Sequence, residues 1–335
     1  MVTTQLQKLG PGDMTATLEE IERALTTAYL GADQRILSQE VASKRAKWVY
    51  EDMAAIGFDL QLRHENFPLP GGVMLGIPQY RIAGSPYNAV RPTKGHEMFR
   101  AQGSGLDCLD LLKLSRACEI GHTLLKHKDW PRSQGHKLRS PSDHVATIEE
   151  ILWLGRWRDP EDIDLEKKLV LGRSTNVDLA FCSGGISINM EVKYRPRTWI
   201  PRADGNFAST DLRSLFEGTE GKFPDEIPPD TLNVVAVTAL APVDNAFGQH
   251  ATNFLEQHPE VSVVLVWTEG ANLHPPACVI GPPAACEALM SIFKVAGEEL
   301  VRPAAFLAEI RHPTERRAMT FSECIEATLR GDFDE

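Results

Sequence analysis

Gly184-Gly185 interrupts a strict apolar–polar alternation running from Val177 to Lys193, and no other stretch limits the folding of this chain as tightly. Alternation with period two means half-buried strands, and a pair of glycines between two such strands favours a two-residue hairpin turn that needs positive φ. A register follows. Ser183 pairs with Ile186, Phe181 with Ile188, Leu179 with Met190 and Val177 with Val192, so packing supports what the turn dictates. On the other face Asp178 falls opposite Glu191. Lys193 shares that face, because side chains two apart on a strand point the same way.

Carboxylates directly opposite each other on paired strands have Cβ atoms only about 5 Å apart, which is repulsive unless something positive intervenes. A divalent cation would relieve it, and removing either acid is then expected to raise the stability of the metal-free protein slightly. Oxygen ligands of this kind suit Mg²⁺ (or Mn²⁺), which typically uses one or two carboxylates and leaves its other positions to water and phosphate oxygens. The plainer alternative is a solvated charge cluster in which Lys193 neutralises one acid. Against it, Ala180, Cys182, Ser187 and Asn189 on the same face are small, as a face covered by a helix or approached by a ligand requires.

The run Val177-Asp178 followed by Glu191-Val192-Lys193 resembles the core of the PD-(D/E)xK nuclease superfamily, with Val177 in place of the motif's proline. That superfamily orders its core as helix, three-stranded meander, helix, strand. Here Ser142 to Trp157 reads as the first helix, Leu165 to Gly172 as the first strand, the segment near Thr210 to Glu217 as the short second helix and Leu232 to Leu240 as the following strand. The resemblance covers roughly residues 142 to 270. It implies an α/β, restriction-endonuclease-like mixed sheet with a central antiparallel hairpin flanked by helices. It also implies a metal-dependent nuclease, in which Asp178, Glu191 and the Val192 carbonyl hold Mg²⁺ or Mn²⁺ and Lys193 orients water or stabilises the phosphate. In many members a glutamate of the first helix reaches the metal or its water, which makes Glu149 the candidate here. Its neighbour Glu150 points away from the apolar stripe of Val145, Ile148, Ile151 and Leu152.

Beyond Lys193, Arg195, Arg197 and Arg202 surround Trp199, a composition suited to phosphate contacts and base stacking; a solvated loop with its Trp folded inward is equally compatible. The net charge of −11 argues superficially against nucleic acid, yet from Gly121 to Arg202 there are 14 Lys and Arg against 11 Asp and Glu. No Walker loop, dinucleotide fingerprint or Gly-x-Ser-x-Gly elbow is present, which disfavours nucleotide-driven and serine-nucleophile chemistry. Six cysteines without CxxC spacing read as reduced core thiols; Cys108, Cys118 and His122 form the nearest approach to a zinc pattern, on an amphipathic helix. With no apolar run near the ~20 residues that span a bilayer, a soluble, cytoplasmic protein is expected.

The organisation reads as two parts. Residues 1–140 are expected to be mainly helical and to recognise substrate or a partner. They comprise helices from Asp13 and from Ser38, an irregular or short-stranded stretch from Phe67 to His96 broken by five Pro and five Gly, a helix from Leu106 to His127, and a basic linker from Trp130 to Pro141 carrying Arg132, Lys137 and Arg139. Residues 141–335 are expected to form the nuclease domain, continuing through a helix from Ala246 to His258, a strand from Val261 to Thr268, and a helical extension that could mediate a dimer contact. The reading favours a DNA endonuclease of restriction or anti-phage type. An inactive nuclease-fold binding subunit and a phosphodiesterase acting on a small nucleotide remain alternatives.

Overall fold

The computed structural model describes residues 16–30, 35–58, 60–68, 74–82, 109–125, 129–139, 143–170, 172, 175–194, 215–239, 245–268 and 277–294. The chain divides into two compact units, 1–148 and 149–335.

Unit 1 opens with α1 (Leu18–Thr27), whose N-terminus is closed by a capping box between Thr17 and Glu20, and with the short strand β1 (Tyr29–Leu30). Helix α2 (Gln39–Ala55) starts where Ser38 accepts the Val41 N–H, as the sequence led us to expect. Strands β2 (Leu60–Pro68) and β3 (Met74–Ile82) then pair antiparallel along nine residues each. β1 and the two-residue β4 (Leu109–Asp110) add to β3. Helix outweighs strand among the described residues of this region, but it also holds a four-stranded sheet, more than the irregular or short-stranded stretch expected there. Pro78 sits inside β3 and obscures its alternation, since proline normally signals the end of a ladder, while Pro68 closes β2. Helix α3 (Leu111–Leu124), capped by Asp110, follows.

The expected basic linker is also corrected. Arg132–Gln134 and α4 (Gly135–Leu138) fold as consecutive helical turns that bury Trp130, Gln134 and Leu138. The next helix, α5 (His144–Leu154), contains the division between the units.

Unit 2 is built on a six-stranded mixed sheet in the order β10-β9-β8-β7-β6-β5. Its strands are β5 (Glu161–Lys167), β6 (Val177–Ser183), β7 (Ile186–Tyr194), β8 (Thr231–Ala239), β9 (Val263–Thr268) and β10 (Ala277–Ile280). β5, β6 and β7 form an antiparallel meander; β7, β8 and β9 run parallel; β10 returns antiparallel. The first strand of the meander comes earlier than Leu165 to Gly172, and a register shift between Glu161 and Asp164 explains why its periodicity was unreadable. Helices α6 (Asn245–Gln257) and α7 (Pro283–Ile292) complete the described part.

Both sheet faces are covered. On one, Ala180, Val235 and Val237 pack with Phe216, Phe247 and Phe254. On the other, Phe181 meets Trp157, which in turn packs on Phe293. In all, the described residues form seven α-helices and two sheets.

Candidate active site

The β6–β7 hairpin has the expected register from Ser183↔Ile186 through Leu179↔Met190. Both turn glycines have positive φ, 56° at Gly184 and 81° at Gly185, the conformation that made glycine necessary there. The ladder ends at Leu179. Beyond it the Val192 N–H, which a continued ladder would give to Val177, donates instead to Asp178 Oδ2 at 2.7 Å. The strands therefore fork at Asp178 and Glu191, while β7 stays paired with β8 through Glu191↔Val235 and Lys193↔Val237. Because N–H and C=O of one strand residue point to the same side, the Val192 carbonyl also faces the fork.

Glu191 and Lys193 lie on the covered face, only 3% and 6% exposed. Lys193 Nζ donates to Glu191 Oε1 at 2.9 Å and to the Glu217 carbonyl at 3.2 Å. A second ammonium was not foreseen. Lys222 Nζ lies 2.6 Å from each of the two Glu191 oxygens. Lys222 stands on a turn in which its own N–H donates to the Thr219 carbonyl, between Gly218 and the buried Phe223. The turn is further held by the Thr175 hydroxyl, which donates to the Gly221 carbonyl. Nothing in the local pattern around Gly221-Lys222-Phe223 advertises this role, which arises only when the segment folds back onto β7.

The balance of two acids and two lysines supplies from the chain itself the positive charge that facing carboxylates require, as the charge-cluster alternative had it for Lys193. It also reverses the stability expectation for Glu191: removing this carboxylate would strand two ammonium groups, one of them buried.

Glu149 on α5 is fully buried and accepts from the Thr238 hydroxyl at 3.3 Å, while Trp153 Nε1 donates to the same hydroxyl at 3.1 Å. Thr238 is paired with Tyr194 and alternates with Val237, so Glu149 meets the sheet face opposite Glu191 and Lys193. The structure thus brings Asp178, Glu191, Val192 and Lys193 together and leaves Glu149 on the far side. Arg195, Arg197, Trp199 and Arg202 lie outside the described residues, as do Thr210 and the start of the expected second helix.

Among the described residues no group of three or more His, Cys, Asp and Glu is poised around one point. The fork offers two carboxylates and a backbone carbonyl, all oxygen donors, which is compatible with Mg²⁺ because that ion seldom takes more than two carboxylates.

In unit 1 the Cys118 and His122 of the zinc alternative serve a different purpose. Asp52 on α2 is buried and accepts from His122 Nε2 at 2.8 Å, Trp130 Nε1 at 2.9 Å and the Cys118 thiol. Burial pushes the Asp52 carboxyl up, and burial next to that acid pushes the Cys118 thiol well up. A thiol so disposed is a poor metal ligand or nucleophile.

No protein-family model matches the chain, and comparison with curated proteins and with solved structures gives no match. Among the described residues no helix is long and apolar enough to cross a membrane.

Proposed function

We propose that the β6–β7 fork is the centre of a metal-dependent nuclease that hydrolyses DNA phosphodiester bonds. The observation that carries this reading is the placement of Asp178 and Glu191 at the point where the two strands separate, with Lys193 next on the same covered face. Asp178, Glu191 and the Val192 carbonyl would hold Mg²⁺ or Mn²⁺. Such an ion makes a phosphate more electrophilic and lowers the pKa of a bound water.

The chain's own groups do the positioning. Lys193 has two of its three N–H donors engaged among the described residues, by Glu191 and by the Glu217 carbonyl, which fixes the ammonium and aims its remaining donor. A fixed donor of this kind stabilises charge developing on a phosphate oxygen without reorganising. Glu149 acts on this reading through the packing of α5 against β8 rather than at the metal. The arginines after Lys193 would contact the phosphate backbone, and unit 1 would recognise substrate or a partner, in the manner of restriction or anti-phage enzymes.

A second reading has one observation in its favour: with Lys193 and Lys222 on Glu191, the site is electrically balanced without metal. It describes a nuclease-like subunit that binds nucleic acid without cutting it. Incubating the purified protein with supercoiled plasmid, single-stranded DNA and RNA, in Mg²⁺ or in chelator, separates the two. Cleavage that needs Mg²⁺ and is lost in Asp178→Asn and Glu191→Gln is the expected result. Binding without cleavage in Mg²⁺ and Mn²⁺ alike would establish the inactive subunit instead.

A further inference from the structure

We propose that Lys222 is an internal counter-ion of the fork, occupying the carboxylate of Glu191 in the metal-free protein and leaving it when a divalent cation binds. This rests on the reading of the fork as a metal centre. Lys222 Nζ is 2.6 Å from both Oε1 and Oε2, so it spans the edge of the carboxylate that a cation would need. Lys193 reaches Oε1 alone. An ammonium and a divalent ion at one carboxylate repel each other, so one of the lysines must yield.

The structure says which. Lys193 rises from the middle of the sheet, is only 8% exposed along its side chain and is tied to the Glu217 carbonyl as well. The Lys222 side chain is 18% exposed and stands on a turn whose backbone bond to Thr219 does not involve the ammonium. Its four-carbon stem can swing the charge into water without breaking any strand pairing. The ammonium released in this way carries a positive charge at the mouth of the site, where it would meet a phosphate that arrives with the metal. Lys222 is therefore a positioning residue with two stations, one on Glu191 and one toward the substrate.

The test is Mn²⁺ uptake by the full-length, metal-free protein, read from the loss of the free-ion electron paramagnetic signal. Loss of a like charge about 4 Å from a divalent ion should tighten Mn²⁺ binding on the order of tenfold or more in Lys222→Met. Lys222→Arg should resemble the wild type. Glu191→Gln should remove the site in either background. A second measurement uses the unaltered protein: amine acetylation followed by mass spectrometry should show Lys222 labelling several-fold faster once Mn²⁺ is added, with Lys193 unchanged. If Glu191→Gln abolishes uptake but Lys222→Met leaves it unchanged or weaker, or if Mn²⁺ binds without exposing Lys222, the counter-ion role is wrong and the metal centre stands. Failure of wild type and Lys222→Met alike to take up more Mn²⁺ than Glu191→Gln would remove the metal centre and this inference with it.

Discussion

Acidifying the protein from about pH 7.5 to about pH 5.5 should loosen unit 1 through one buried imidazole. His144 is fully buried: its Nδ1–H donates to the Leu138 carbonyl at 2.6 Å, and its Nε2 accepts the Tyr80 hydroxyl at 2.5 Å. Phe58 lies stacked on the ring, 5.6 Å between centroids. Burial holds the imidazole below its ordinary pKa of 6.5. A histidine whose folded pKa is depressed contributes stability that is complete above the unfolded value and is lost as pH falls below it toward the folded value. With an unfolded pKa near 6.5, the loss over that interval approaches a ceiling of about 1.4 kcal/mol for a single group. Hydrogen exchange of the α2 and α3 amides at a series of pH values measures it as a drop in opening free energy. His144→Gln keeps a donor and an acceptor but cannot titrate, so its opening free energy should be flatter with pH than that of the wild type by up to this amount. Identical slopes in the two proteins would show that His144 is not the group responsible.

Three further outcomes follow from the geometry. Glu191→Ala should lower stability by about 3–5 kcal/mol in urea unfolding of the metal-free protein, the range for breaking a buried ion pair, whereas an unchanged or raised midpoint would restore the simple repulsion view. Gly184→Ala should cost more than Gly185→Ala in the same assay: both need positive φ, at about 1–2 kcal/mol, but a Cβ at Gly184 would stand 2.6 Å from Ile292 Cγ2 while one at Gly185 meets open space; equal losses would show that Ile292 moves aside freely. Glu149→Gln should cleave within a few-fold of wild type if the parent cleaves, and a loss as deep as that of Asp178→Asn would mean that α5 reaches the metal after all.

The hairpin was legible because its register depends only on a turn and on period-two packing, both local. The strand Thr231–Ala239 and the helix Asn245–Gln257 were legible for the same reason: each carries an uninterrupted pattern of its own. Elements whose pattern is broken by a bulge or a proline were not, as β5 and β3 show. The composition of the site followed the same division. Asp178, Glu191 and Lys193 lie on two adjacent strands and could be placed by counting. Lys222 reaches Glu191 from 31 residues away, through a glycine-containing turn with no period to count, and so required the tertiary fold.

One backbone amide now acquires a use of its own. The Val192 N–H is the only rung of the hairpin that ends on a side chain among the described pairs, bonded to Asp178 Oδ2 where the ladder stops. Any cation that draws the Asp178 carboxylate away must free that N–H from its hydrogen bond, while the rungs nearer the glycine turn keep theirs. The chemical shift and solvent exchange of this one amide, set against Met190 as an internal standard, therefore report occupancy of the fork without a substrate, a chromophore or any turnover.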